Sequence, residues 1–228
     1  MTVPAAASRA AVHAAQVASI CAALTVRERP SFLPFTFGGL NFDVITLPGE
    51  LMAAFALRYR AYTECKYISH ADYPLEREFD DYDDVSVHFG CWEPAGRELV
   101  GYTRLILDRR QHLQLEHIVP IGDYRARHPG RLCEMSRLIV MPPGRPHVSK
   151  GLRYAGFRWA QMLGIEQIVG VSHTRDREAF TRRGFVPMEP YREAPYKGDH
   201  FGPLNGEPMY GNVFDVAANR EHIVHLLD

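Results

Sequence analysis

The nonapeptide Leu132-Cys133-Glu134-Met135-Ser136-Arg137-Leu138-Ile139-Val140, LCEMSRLIV, constrains this chain more than any other stretch. It is short, mostly apolar and closed by MPPG, so it reads as a buried strand. Yet it holds a Glu and an Arg, and charges are rarely buried without partners. Side chains alternate along a regular strand, so their odd spacing sends Glu134 and Arg137 to opposite faces. A β-bulge between them would turn both toward one cleft. Either way Glu134 sits among apolar neighbours, which raises a carboxyl pKa and suits it to proton transfer near neutral pH.

The same conflict recurs twice. GELMAAFALRYRAYTECKYI (49–68) reads as a helix with Leu51, Phe55, Arg58 and Tyr62 on one face. Arg60 falls on another face, where Glu64 can pair with it at i+4. Arg58 therefore needs a buried carboxylate and Arg60 does not. VSVHFGCWE (85–93) and ELVGYTRLIL (98–107) read as a hairpin around PAGR, and Arg104 shares a face with Val100, Tyr102 and Ile106. Arginine keeps its proton, so Arg58, Arg104 and Arg137 each require an anion. EREFDDYDD (76–84) supplies six acids in nine residues. Alone, that run reads as a solvated loop. It lacks the sixth-position glycine and terminal Glu of a calcium loop. Folded over three arginines it makes a paired network that fixes geometry at some cost in stability. Such a network points to a site, with a purely structural polar core as the alternative.

Further along, a strand is expected over 41–48 and an irregular stretch over 108–131. A helix follows over 150–164, with Leu152, Ala155, Trp159 and Met162 on one face. A strand (166–173), a helix ended by Gly184 (176–184) and closing strands (185–193, 207–216) complete the chain. The alanine-rich first 30 residues have no basic segment leading an apolar one, so they read as a surface-docked helix rather than a signal peptide. RPSFLPFTFGG (29–39) reads as a linker. The expected organisation is an N-terminal helical extension and linker (1–38) and one main domain (39–228). No run of about 18 apolar residues could span a membrane. With the first 30 residues read as a helix and not a signal peptide, the cytoplasm is the expected default compartment. A net charge of −1 argues against nucleic acid as a partner. Cys21, Cys65, Cys91 and Cys133 are scattered, so neither a disulfide framework nor a metal site is signalled.

Together these motifs resemble the acyl-homoserine-lactone synthases and the related long-chain N-acyl amino acid synthases. That family's pattern begins with an Arg four residues before a helix aromatic, here Arg58 and Tyr62. A D-x-x-D loop (Asp80, Asp83), a strand Arg (Arg104) and a strand reading E-x-S-R (Glu134-Met135-Ser136-Arg137) follow. The resemblance implies a GNAT acyltransferase fold: an α/β chain of the α+β type, with a mixed, mostly antiparallel central sheet flanked by helices. Homoserine-lactone synthases carry a Trp ten residues after the helix Arg, where this chain has Ile68, and the helix aromatic is usually Phe. These departures favour the amino-acid-acylating branch over autoinducer (quorum-sensing) synthesis from S-adenosylmethionine.

The implied chemistry is aminolysis of an acyl thioester, with Glu134 as base. A backbone N–H near Ser136 to Leu138 would hold the oxyanion, next to Arg137. Arg58, Tyr62, Asp80, Asp83 and Arg104 would shape the acceptor site, one of the arginines could take the acceptor's carboxylate, and Trp159 would help wall an acyl tunnel. No resident cofactor is implied. The acyl group would arrive on the 4′-phosphopantetheine of acyl-carrier protein, or on CoA. MPPGRPHVSKG lacks the glycine spacing with which CoA-dependent relatives cradle pyrophosphate, which favours the carrier protein. Arg145, Lys150, Arg153 and Arg158 would meet that carrier's acidic surface. A non-catalytic acyl-carrier- or lipid-binding module is the reading from another class.

Overall fold

The computed structural model describes residues 5–23, 29–94, 98–109, 112–128, 130–189, 193–195 and 206–228. Helix α1 (Ala5–Ala23) comes first. Its Val17 and Ile20 are buried against the domain. The stretch expected as a linker instead contributes β1 (Phe35–Phe37), which pairs with β2 (Leu40–Val44) across Gly38 and Gly39. Both glycines take positive φ, which lets the chain turn in two residues. Helix α2 (Pro48–Glu64) starts on Pro48, and Glu50 accepts the backbone N–H groups of Thr46 and Leu47. It ends four residues before the expected limit.

Strands β3 (Ser86–Trp92) and β4 (Leu99–Leu107) form the expected antiparallel pair, although residues 95–97 of its turn lie outside the described residues. The stretch expected to be irregular holds a 3₁₀ turn (Gln114–His117) and helix α3 (Gly122–Arg127). Then come β5 (Leu132–Val140), α4 (Pro146–Met162), β6 (Gln167–His173) and α5 (Arg177–Thr181). Helix α4 starts one turn earlier than expected. Pro146 occupies its first turn, where a missing N–H costs nothing. The expected strand 185–193 resolves into β7 (Val186–Pro187) and β8 (Glu193–Pro195), with 190–192 outside the described residues. Both pair with β9 (Pro208–Asp215), and α6 (Arg220–Val224) follows.

Among the described residues the nine strands form one sheet, ordered β1-β2-β3-β4-β5-β6-β9-β7, with β8 also on β9. Only β5 and β6 run parallel, joined by the α4 crossover. One face carries Phe42, Phe89, Leu105 and Cys133 under Leu152, Ala155 and Trp159 of α4. The other carries Tyr102 and Ile139 under Leu51, Phe55 and Leu57 of α2, and Ile106 and Val169 under Leu113 and Leu115. The result is a mixed α/β sheet, largely antiparallel and flanked by helices. Among the described residues no helix is long and apolar enough to cross a membrane.

Candidate active site

The strand is bulged, not between Glu134 and Arg137 as expected but at Arg137 and Leu138, since Glu134 to Ser136 pair regularly with β4. Tyr102 pairs with Ile139 and Arg104 with Ser136, so one residue of β4 faces two of β5. Arg137 absorbs the irregularity at φ +58, a conformation that costs a non-glycine residue about 1–3 kcal/mol. Its guanidinium supplies the compensation. Nη2 donates to Asp80 at 2.7 Å and to Glu78 at 3.3 Å, and the group lies 5.7 Å over the Tyr62 ring.

The other two arginines converge on the same acids. Arg58 donates through Nε to Glu78 and through Nη1 to Asp83 at 2.6 Å. Arg104 grips both oxygens of Asp80 (2.7 and 2.8 Å), shares Asp83 with Arg58, and donates through Nε to Ser136 Oγ at 2.9 Å. Burial alone would raise the Asp80 pKa, but Arg104 and Arg137 hold it well below the usual carboxylate range. Arg58, Arg104 and Glu78 are completely buried. Arg60, on another phase of the same helix, is exposed, and among the described residues it forms no ion pair with the Glu64 that could have met it.

Three members of this cluster escaped the motif. Glu78 lies two residues before the D-x-x-D pair, and only the three-dimensional count of cations shows that it is needed. Gln114 accepts from Arg104 at 2.9 Å and donates to Asp80 at 3.0 Å. His88 is buried with its Nε2 at 2.9 Å from the Asp83 carbonyl, which can only accept. Its Nδ1 therefore accepts from Tyr102 Oη at 2.7 Å. Burial pulls the His88 pKa down to about 4, so it stays neutral.

Glu134 is 1% exposed and accepts one backbone N–H, from Leu115 at 2.9 Å. Burial pushes its pKa up to about 7, against the pull of that hydrogen bond and of Arg104. Folding thus favours the protonated carboxyl. The stability it contributes is complete below the unfolded value of 4.5 and is lost as pH rises through about 7. Glu134→Gln removes this titration. Between pH 4 and pH 8 the wild type should therefore lose roughly 3 kcal/mol relative to the Gln variant, read from denaturant unfolding. Parallel pH profiles for the two proteins would refute the assignment.

Pairing between β5 and β6 stops at Glu134–Val169. Beyond that fork a cavity of about 200 Å³ opens, lined by Met135 to Leu138, Gly170, Val171 and side chains from α4 and α5. The fork leaves one edge of β5 without a strand partner at the bulge. Ser136 and Arg137 therefore touch both the network and the cavity, and Glu134 stands at the junction. Trp159 stands apart: its ring packs edge-on to Phe89, with centroids 5.5 Å apart, in the core beneath α4. Met162 is half-exposed, so it does not continue that face. The supposed carrier-facing cations are also dispersed. Arg145 pairs with Glu93 at 2.6 Å, Arg158 lies over Phe32 and Tyr154, and Arg153 is buried.

No curated protein matches the chain in sequence. Among solved structures, FeeM, an N-acyl amino acid synthase from uncultured soil microbes, superposes with a TM-score of 0.60 at 18% identity, covering 80% of this chain and 93% of that one. The CoA-dependent acyl-homoserine lactone synthase BjaI gives 0.53 at 21% identity, covering 76% and 82%. The AHL synthase LasI gives 0.54 at 15% identity, covering 78% and 90%. Identities this low show the fold alone. The family model described as N-acyl amino acid synthase FeeM matches residues 53–204, the span that holds the three arginines, their acids and Glu134. The match extends over more than half of the 228 residues, and the chain belongs to the FeeM family of N-acyl amino acid synthases, which are acyltransferases.

Proposed function

We propose that the protein moves a long-chain fatty acyl group from the phosphopantetheine thioester of acyl-carrier protein to the amine of an amino acid or similar small amine. The observation that carries this reading is the position of Glu134, a buried carboxyl on the face of the paired arginine–acid network, at the fork where β5 parts from β6. The amine nitrogen attacks the thioester carbonyl carbon, forming C–N. Glu134 takes a proton from the amine, directly or through one water. The C–S bond then breaks, and the thiolate leaves as thiol once it regains a proton. Backbone N–H groups of the bulged strand at 136–138 would hold the developing oxyanion. Arg58, Arg104, Asp80 and Asp83 lock the loop over the sheet. Of the three arginines only Arg137 keeps exposed side-chain surface, 7%, so we assign the acceptor's carboxylate to it.

Family membership supports acyl transfer to an amine. The carrier-protein donor rests on the loop before α4, where Met141-Pro142-Pro143-Gly144-Arg145 offers two residues without an N–H. We therefore expect kcat/KM with long-chain acyl-carrier protein to exceed that with the matching acyl-CoA by about tenfold at low salt, an advantage that shrinks as ionic strength screens the docking. Equal use of both donors would remove the carrier protein.

The direct test is thiol release from acyl-carrier protein by the purified protein, with and without added amines, and mass spectrometry of the product. Release that depends on the amine supports the proposal. Acyl binding without release would make the protein a binding module. A lactone formed from S-adenosylmethionine would move it to the autoinducer branch, against the presence of Ile68, which packs among Tyr59, Tyr73 and Met209.

A further inference from the structure

Arg153 is a fourth buried arginine, and it differs from the other three. It lies two turns into α4 and is 7% exposed. Its Nε donates to the Ser149 carbonyl at 3.2 Å. Among the described residues no carboxylate pairs with it, whereas Arg58, Arg104 and Arg137 each meet two or more. Arg183, just past α5, is its neighbour across the same cavity, with its guanidinium 5.7 Å over the Phe180 ring. It too has no carboxylate partner among the described residues. Burial first, and then the charge of Arg183, pull the Arg153 pKa down to about 10. Two cations held together in a partly enclosed space oppose folding unless something gathers there to offset them. The chain supplies three arginines with acids on one face of the sheet. On the other face it leaves two arginines aimed into a cavity.

That cavity lies on the α4 side of the sheet. Gly156 of α4 packs against Met135, whose neighbours Glu134 and Ser136 face the network on the opposite side. Arg137, assigned above to the acceptor's carboxylate, and Glu134, assigned to take the amine's proton, both turn their side chains to the network face, so the acceptor suits that face. The donor is left with the α4 face. A pantetheine arm is neutral along its length and ends in a phosphate ester. We propose that Arg153 and Arg183 bind the phosphate ester of a pantetheine-borne donor, in place of the backbone N–H groups that Pro142 and Pro143 cannot offer. Guanidinium forks suit phosphate oxygens, and a partly buried site strengthens the attraction. This inference rests on the thioester reading above. Its ligand chemistry is shared by acyl-carrier protein, a phosphodiester, and CoA, a diphosphate.

Calorimetric titration tests it without turnover, using 4′-phosphopantetheine against pantetheine. The wild type should bind the phosphorylated arm at least about tenfold more tightly. Arg153→Met and Arg183→Met should each shrink that preference to about twofold, while Arg153→Lys retains part of it. Equal binding of the two arms, no binding of either, or variants that keep the full preference would overturn the assignment. Thermal melts separate site from scaffold: Arg153→Met removes an unpaired buried charge, so its Tm should not fall below that of the wild type, and a lowered Tm would make Arg153 structural. Repeating the titration with holo-carrier protein and with CoA names the source by which affinity the variants lose. In kinetics the donor KM should rise and the amine KM should not; the reverse would place the acceptor's carboxylate here and overturn the proposal. Failure of aminolysis in the wild type would sink the acyl-transfer reading and leave the phosphate site standing.

Discussion

Glu134→Gln is expected to lower kcat by about 10²-fold or more while the protein remains folded. The substitution keeps shape and one hydrogen-bond acceptor for the Leu115 N–H, which the Glu134 carboxylate receives at 2.9 Å. It removes the capacity to take a proton. Glu134 stands on β5 at its last pair with β6, on the network side of the sheet, and burial pushes its pKa up to about 7, where a base is both ionised and strong enough to act. The wild-type rate should rise with pH through that value. The variant's residual rate should lack this limb. Single-turnover thiol release by the two proteins across pH 5.5–8.5 is the measurement, read on the order of that 10²-fold loss. A Gln variant with near wild-type turnover would end the role of Glu134 as base and leave it a buried structural acid.

The second large effect is on stability. Arg58→Ala should lower the unfolding free energy by about 3–5 kcal/mol, because it strands buried carboxylate. Arg58 is fully enclosed, bound to Glu78 and Asp83 and stacked 5.3 Å over Phe55. Glu78 would keep Arg137 at 3.3 Å as its nearest cation. Arg60→Ala, on the exposed face of the same helix, should cost under about 1 kcal/mol. Urea midpoints of both variants decide the matter. Similar shifts would show that the network contributes little beyond ordinary helix surface. Arg58→Met is the informative companion. It refills the volume without the charge, so a large loss there assigns the effect to the stranded acids and not to a cavity.

Periodicity was enough to separate Arg58 from Arg60, because a helix repeats every 3.6 residues and the apolar stripe fixes its phase. Alternation likewise places Arg104 and Glu134 inside the sheet. The motif order, Arg58 to Arg137, carried the fold and the acyl-transfer chemistry together. The linker reading of 29–39 failed because prolines and glycines that usually mark loops here bound a three-residue edge strand, whose pairing with β2 is a long-range event. Helix α4 begins at Pro146, four residues before the expected start, because a proline is tolerated in a helix's first turn.

Other features exist only in the folded chain. Composition does not say which of six loop acids turn inward; Glu78, Asp80 and Asp83 do so because three guanidiniums from α2, β4 and β5 meet at one point. Gln114 joins them from a turn with no recognisable pattern. The bulge that swings Arg137 toward Asp80 is set by the register between β4 and β5, which neither strand encodes alone. Arg153 looks like any helix cation in the sequence. Its burial beside Arg183 depends on where α5 packs after β6, so its lack of a carboxylate is a property of the assembled fold. Local periodicity fixes which way a side chain points along its own element. What it then meets is fixed by contacts between elements far apart in the chain, which is where Arg58, Arg104 and Arg137 found their acids and Arg153 did not.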